Sequence, residues 1–421
     1  MPRLLPRRGA IRAALIVSNS NAAPNTAIVI GAGIAGCSTA YALAQRGIKV
    51  TLLERHAEIA SEASGNSVAM LYPRLSGNDV ASEFALTGYL HSLALYKSLN
   101  LDLANFSNCG LLQLGFNKRE LARIQKVAAQ NHSTDILKYV TQPEASSLAG
   151  MAISHDALYF PNAGWVHPQQ LCKRLTQHKN ISLITLTNAI NILKINDIFE
   201  IKSSNFLSIK ANIVIIANAN DANSFSQTTH IKTQAVRGQV SQLSATDVSQ
   251  KLKIILCSDG YFSPAVNNIH CLGATFSTKN DGINQADHLS NLETLKTISA
   301  PLHHNMHNNI VDGRVSYRCI TSDYFPLVGE LLDSVALKST PPRPSATTAS
   351  LPWIKGLYMN VAHGSKGFTS APLCAELLAC SICNEALPIA NELAGLLNPN
   401  RFLLREMGLK RLAKTLAHTP Y

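Results

Sequence analysis

The chain carries no acidic residue before Glu54, and none between Asp333 and Glu376. Those gaps exclude an evenly charged surface. They leave Arg3, Arg7, Arg8 and Arg12 in the first and Lys338, Arg343, Lys355 and Lys366 in the second without local counter-charge. No apolar run reaches the ~18 residues of a membrane-spanning helix, so no membrane partner is expected. The nine cysteines are odd in number and lack paired framework spacing, which argues for reduced thiols in a cytoplasmic compartment. Cys380-Ser-Ile-Cys383 lies in an apolar helical pattern and reads as core. His303-His304-Asn-Met-His307 has no second ligand cluster to complete it, so no metal is expected. There is no internal repeat. What remains is a chain of 421 residues with 37 Lys+Arg against 26 Asp+Glu, a formal charge of +11, enough for two joined domains and a surface suited to a polyanion.

The strongest positive signal is Ala27-Ile-Val-Ile-Gly31-Ala-Gly33-Ile-Ala-Gly36, followed by a helix-compatible run and then Lys49-Val-Thr-Leu-Leu-Glu54. A β-branched strand runs into Gly-x-Gly-x-x-Gly, and an acid ends the next apolar strand, which is a dinucleotide-binding fingerprint. Gly31 permits the tight turn, Gly33 lets backbone amides approach a pyrophosphate, and Gly36 lets the helix pack close on the strand. The helix N-terminus then faces phosphate, and Glu54 accepts from a ribose diol.

Two further pieces of the same kind return later. Ala211–Ala219 reads as a buried strand ending in small residues, and Gly356–Gly367 as strand, glycine-rich turn and helix start. Between them, Gln234–Leu243 and Ile269–Gly273 alternate polar and apolar residues like a separate antiparallel sheet. Residues 81–103 read as helix, and Leu337–Leu351, rich in Pro, Ser and Thr, as an exposed loop. Arg401–Lys414 alternates base and apolar residues at helical spacing and reads as a basic surface, either polyanion-binding or merely solvated. Three returning pieces around one fingerprint point to FAD rather than NAD, with the small polar loop Ala63-Ser64-Gly65-Asn66-Ser67 near its phosphate and ring portions. The Arg-rich leader has the composition of a transit peptide, but Pro2 and Pro6 argue for a flexible lead-in over residues 1–26.

Ala63–Pro73, Gly164–Pro168, Val236-Arg-Gly-Gln-Val240, Arg318-Cys319 with Pro326-Leu-Val-Gly329, Gly364-Ser-Lys-Gly367 with Ser370–Glu376, and Asn398-Pro-Asn-Arg401 resemble one family. It is the FAD-dependent oxidoreductase half of the bifunctional tRNA 5-methylaminomethyl-2-thiouridine biosynthesis enzyme, within the D-amino-acid oxidase superfamily. The resemblance spans nearly all of residues 27–401. It implies a mixed α/β and α+β fold, with a Rossmann-like FAD-binding domain (27–100, 150–230 and 353–400) interleaved with an antiparallel-sheet substrate domain (101–149 and 231–352), and a basic segment over 401–421. The implied reaction removes the carboxymethyl group from 5-carboxymethylaminomethyl-uridine at the tRNA wobble position, leaving 5-aminomethyl-uridine and glyoxylate.

By that resemblance Arg318 grips the substrate carboxylate, Tyr261 donates a hydroxyl, and Arg237 is the alternative cation. The implied FAD contacts are Gly31, Gly33, Ile34, Ala35, Gly36, Glu54, Arg55, Ser64, Gly65, Asn66, Ile190, Ala217, Gly364, Ser365, Lys366 and Gly367. Ala69 and Lys366 stand where the family suggests glycine and arginine. With 26 residues before the fingerprint strand, the methyltransferase half is expected to be absent and a separate methyltransferase is a candidate partner. A free glycine or sarcosine-type oxidase, and a non-catalytic flavoprotein binding tRNA or a methyltransferase, are the alternatives.

Overall fold

The computed structural model describes residues 25–277, 281–343 and 345–416. The expected basic leader therefore lies outside the described residues except for its last two. Strand Thr26–Ile30 sits inside a six-stranded sheet. Lys49–Leu53 and Ile181–Ile184 follow on one side, and Ile213–Ile216, Trp353–Val361 and Leu327–Leu332 on the other. Every neighbouring pair is parallel except the last, where Leu327–Leu332 runs against Trp353–Val361.

The pleat explains the unbroken apolar run of the first strand. Ala27 and Val29 pack beneath helices Ile34–Gln45 and Gly367–Ile382. Ile28 and Ile30 face the other way, onto Ile192, Phe199 and Ile201. These belong to a three-stranded antiparallel sheet, Ala189–Ile195, Ile198–Ser203 and Ser208–Ala211. A strand covered on both faces has no polar side to show.

A second, eight-stranded sheet runs in the order Ile310–Ile320, Gln234–Ser244, Ile269–Gly273, Tyr261–Phe262, Ile255–Cys257, Leu111–Leu114, Ala157–Phe160 and Lys138–Val140. It is antiparallel except where Ile255–Cys257 lies beside Leu111–Leu114. Helices Gln285–Ile298 and Ala300–Met306 cover one face through Leu292, Leu295, Leu302 and Met306. The interleaved nucleotide-domain and antiparallel-sheet architecture is the one expected from the sequence.

Its boundaries differ from the expected ones at two places. Ala157–Phe160, placed with the nucleotide domain, pairs instead with Leu111–Leu114 in the eight-stranded sheet. Leu327–Leu332, placed with the substrate domain, closes the edge of the six-stranded sheet. Short apolar strands look alike, and only their non-local pairing assigns them. The Pro- and Ser-rich stretch is not simply an exposed loop. It begins inside helix Ser334–Ser339, and its Leu337 and Leu351 are buried with Leu403, Leu404 and Leu412 of helices Arg401–Glu406 and Lys410–Thr415.

Candidate active site

At the end of strand Thr26–Ile30 the chain turns at Gly31 with φ +99°, and a Cβ there would lie 2.8 Å from the Ala217 carbonyl oxygen. Gly36 is tighter still, since its Cβ would fall 1.8 Å from the Gly31 carbonyl oxygen. The helix can start against the strand only because both are glycine. Helix Ile34–Gln45 begins with no side-chain cap of its own. Ser64 supplies one from another loop, its Oγ accepting from the Ile34 amide at 3.0 Å, which leaves the hydroxyl proton to offer an anion. Buried Glu54 accepts from the Ala32 and His56 amides at 2.9 Å each, so the carboxylate is held rigidly at the strand end.

Gly31, Gly33, Glu54, Arg55, Ser64 and Ala217 line a cleft of about 90 Å³ together with Asn218, whose buried Oδ1 has no partner among the described residues. Arg55 closes its rim through ion pairs to Asp221 at 2.8 Å and to Glu62. An orphaned acceptor, a fixed carboxylate and uncommitted helix-terminal amides form the set that an adenosine diphosphate requires.

Gly33, Ala63, Ser64, Ala217 and Ala219 also line a neighbouring cavity of about 410 Å³, so the two join as one trough. Ile34, Ala35, Asn66, Gly364, Ser365, Lys366, Gly367, Tyr261 and Arg318 line this larger part. The turn Gly364–Lys366 precedes helix Gly367–Ile382 and is anchored from below. Thr39 Oγ1 donates to the Ala35 carbonyl and accepts from Asn360 Nδ2 at 2.9 Å, and Asn360 Oδ1 lies 3.0 Å from His363 Nε2. Burial depresses the His363 pKa to about 3, so the ring is neutral. Nε2–H then donates to Asn360, and Nδ1 lies 2.9 Å from the Ser370 hydroxyl, which also reaches the Lys366 carbonyl at 2.9 Å. From the helix Val80–Ser98, Tyr96 and Ser92 bond the Phe368 and Thr369 carbonyls at 2.7 and 3.1 Å. The glycine-rich turn is thus held on two sides, and its residues Gly364–Gly367 line the cavity. Lys366 lies in the same concavity, where burial and then Arg74 lower its pKa.

Arg318 projects from strand Ile310–Ile320 opposite Val236. Gly238 makes room for it, because a Cβ there would sit 2.1 Å from Arg318 Nη1. One Nη donates to the Thr275 carbonyl at 3.1 Å, and the guanidinium lies 4.2 Å from the Phe276 ring centroid. No carboxylate pairs with it among the described residues. Burial lowers its pKa, though a guanidinium remains charged at any ordinary pH. An unpaired buried cation is costly unless a ligand completes it. Tyr261 shares the cavity wall, and burial pushes its phenol pKa up, so it stays protonated as a donor.

Arg237, the alternative cation, is not in the cavity. Adjacent residues of a strand face opposite ways, so Arg237 points away from the face shared by Val236, Gly238 and Arg318. It is buried, donates to the Asp281 carbonyl at 2.7 Å and to the Gly282 carbonyl, and pairs with Asp287. Ile190 is 57 % exposed, while its neighbour Ala189 lines the cleft. Gly65 supports the site from behind. Its Cβ would lie 2.6 Å from Arg314 Nη2, and Arg314 donates to Asn66 Oδ1 at 3.0 Å and to the Ser61 and Glu62 carbonyls at 2.8 and 2.6 Å. Arg314, Asn360, His363 and Ser370 were not named as site residues from the sequence. Arg401 is also displaced from its expected surface role: its side chain is fully buried against Asp323.

Residues 26–381 match the FAD dependent oxidoreductase (DAO) family. The chain belongs to that family. The oxidoreductase is 44 % identical over 398 residues to the tRNA 5-methylaminomethyl-2-thiouridine biosynthesis bifunctional protein MnmC of Methylobacillus flagellatus, covering 94 % of this chain and 62 % of the relative. It is 38 % identical over 392 residues to the protein of the same name from Pseudomonas savastanoi pv. phaseolicola, covering 90 % and 59 %. The oxidoreductase thus spans about three fifths of the length of these relatives. In fold it is similar to glycine oxidase from Geobacillus kaustophilus, with a TM-score of 0.70, 19 % identity and coverage of 86 % and 95 %. It is equally similar to L-proline dehydrogenase from P. horikoshii, with a TM-score of 0.70, 20 % identity and coverage of 92 % and 99 %. FAD is the cofactor of the family, and the trough described above fits it.

Proposed function

We propose that this oxidoreductase removes the carboxymethyl group from 5-carboxymethylaminomethyl-(2-thio)uridine at the tRNA wobble position, giving 5-aminomethyl-(2-thio)uridine and glyoxylate. The observation that carries the reading is Arg318, a cation without a carboxylate partner among the described residues, on the cavity wall with Tyr261. The modified base is in effect an N-substituted glycine. Its carboxylate meets the Arg318 fork and the Tyr261 hydroxyl, which orients the carbon between nitrogen and carboxylate. FAD, when bound, accepts the hydride from that carbon. The amine must be neutral for this, and the resulting imine takes up water and splits into amine and glyoxylate. The Gly364–Gly367 turn lines the cavity, and backbone amides offered from such a turn stabilise negative charge.

The names of the relatives support a tRNA substrate. So does the surface. Exposed Lys338, Arg343, Lys410 and Lys414 belong to two segments that share one small core, and Arg411 bonds across to the Ala346 carbonyl. A polynucleotide binds such a patch through its phosphates, with the wobble base flipped into the cavity. The proposed compartment is the cytoplasm, and a separate methyltransferase is the proposed partner for the next step. The test is incubation of FAD-loaded protein with tRNA carrying 5-carboxymethylaminomethyl-uridine, followed by nucleoside mass spectrometry. Appearance of 5-aminomethyl-uridine supports the reading. An unchanged nucleoside together with rapid flavin reduction by free N-alkyl glycines replaces it with a small amino-acid oxidase.

A further inference from the structure

Arg318 is not the cavity's only arginine. Arg74 lines the same wall as Lys366 and Tyr72, and 39 % of its side chain is exposed. One of its Nη atoms lies 3.2 Å from each oxygen of Glu120, whose side chain is only 7 % exposed. Glu120 is itself shared, because Arg123 Nε donates to it at 2.8 Å. Arg123 also donates to the Leu75 carbonyl at 2.5 Å and to Gln113 Oε1 at 3.2 Å, and Gln113 Nε2 donates to the Pro73 carbonyl at 3.3 Å. The backbone on both sides of Arg74 is therefore tied to the network that holds its guanidinium.

Two guanidiniums against one carboxylate leave a net positive charge. Nε and the second Nη of Arg74 donate to no protein atom among the described residues, so the free edge of the fork is a fixed donor pair. Lys366 adds a second cation close by, and Asp259 is the single acid among the residues lining this cavity. A substrate whose only anion is an amino-acid carboxylate needs one cationic grip, and Arg318 supplies it. A half-exposed second fork suits an anion that stays attached to something outside the cavity. A polynucleotide has such a group in its phosphodiester.

We propose that Arg74, held by Glu120, is a second anion-binding group of this cavity and takes a backbone phosphate oxygen beside the target nucleotide. This rests on the tRNA reading above. It makes Arg74 a determinant of polynucleotide over free amino acid, acting on substrate binding and not on the hydride step.

The experiment compares the FAD-loaded wild-type chain, Arg74→Gln and Arg74→Lys. Two substrates are used: an anticodon stem-loop RNA carrying 5-carboxymethylaminomethyl-uridine, and N-ethylglycine. RNA binding is also titrated against sodium chloride. For Arg74→Gln the RNA KM should rise about tenfold, with kcat held and an effect on N-ethylglycine below twofold. The slope of log K against log salt should become shallower by about 0.7, one single-strand phosphate contact. Arg74→Lys keeps the charge and should restore the slope, with part of the affinity lost with the fork. It carries the test alone if Arg74→Gln does not accumulate with FAD. A wild-type slope and KM in Arg74→Gln overturn the proposal, as do equal losses on both substrates, which make Arg74 a carboxylate ligand. If wild type binds no RNA at all, the tRNA reading falls first and this proposal with it.

Discussion

Arg401→Met separates a buried structural arginine from a surface base in one substitution. The side chain has no exposed surface, and its guanidinium bonds Asp323 at 3.0 and 2.8 Å. It also donates to the carbonyls of Phe325, Pro326, Leu397 and Asn398 at 2.9–3.3 Å. Removing one member of a buried ion pair costs about 3–5 kcal/mol. Asp323 retains 29 % side-chain exposure, so water re-solvates part of what is lost and the lower end, about 3 kcal/mol, applies. At roughly 2 °C per kcal/mol, Tm falls by about 6 °C. A second signature is acid dependence. Burial raises the Asp323 pKa, but Arg401 more than offsets this and holds the carboxyl below its usual range. A depressed folded-state pKa contributes stability that is present above the unfolded value of about 3.9 and is lost as pH falls through the folded value. Methionine at 401 should remove that segment of acid sensitivity. Thermal unfolding by circular dichroism between pH 3 and 7 reads both effects, with Lys414→Ala on the next helix as a control expected within about 0.5 kcal/mol of wild type. A variant that melts like wild type yet loses salt-sensitive RNA binding would return Arg401 to the surface and refute the argument.

Arg318→Ala should cost at least about 100-fold in kcat/KM on any N-substituted glycine, from a charged hydrogen-bonded contact of about 3 kcal/mol, while the bound-flavin spectrum stays unchanged. A loss below threefold in stopped-flow flavin reduction would move the carboxylate grip elsewhere. Arg314→Met frees the Ser61–Asn66 loop and should raise the FAD dissociation constant about tenfold, measured by flavin fluorescence quenching. His363 takes up a proton only near pH 3, whereas an unfolded histidine does so near 6.5, so the unfolded state binds more protons between those values. Stability therefore falls as pH drops from about 6.5 toward 3, by at most about 1.4 kcal/mol per pH unit. Unfolding of His363→Gln should show a flatter profile there, and an unaltered profile would mean that His363 is already charged in the folded protein.

The nucleotide end of the site was legible because its chemistry is local. Strand, turn, helix start and Glu54 follow one another along the chain, and Gly31 and Gly36 answer contacts with the adjacent strand end and within that unit. The substrate end was only partly legible. Arg237 and Arg318 have the same residue type and similar surroundings in sequence. What separates them is the pleat of two paired strands and a glycine at 238 that leaves a hole for one guanidinium. Gly65 illustrates the same limit from the other side. It lies in the predicted loop, and beside the local Ala60 carbonyl, 2.5 Å from a Cβ built there, the space is also taken by Arg314, 249 residues away (314 − 65).

Acid-free windows mislead for a related reason. A stretch without Asp or Glu looks uncompensated, yet counter-charge is supplied in space: Lys355, in the second acid-free window, meets Glu330 at 3.6 Å. Outside both windows the same holds, since Asp323 reaches Arg401 across 78 residues. The bases left over are those whose helix positions face outward while leucines at 403, 404 and 412 turn inward, and these are the ones to test for RNA contact. Lys410→Ala with Lys414→Ala should then flatten the salt dependence of tRNA binding by about one to two units of slope and leave Tm in place. A steep, unchanged slope in that double variant would assign phosphate binding to other surfaces of the protein and leave these lysines as solvated charge.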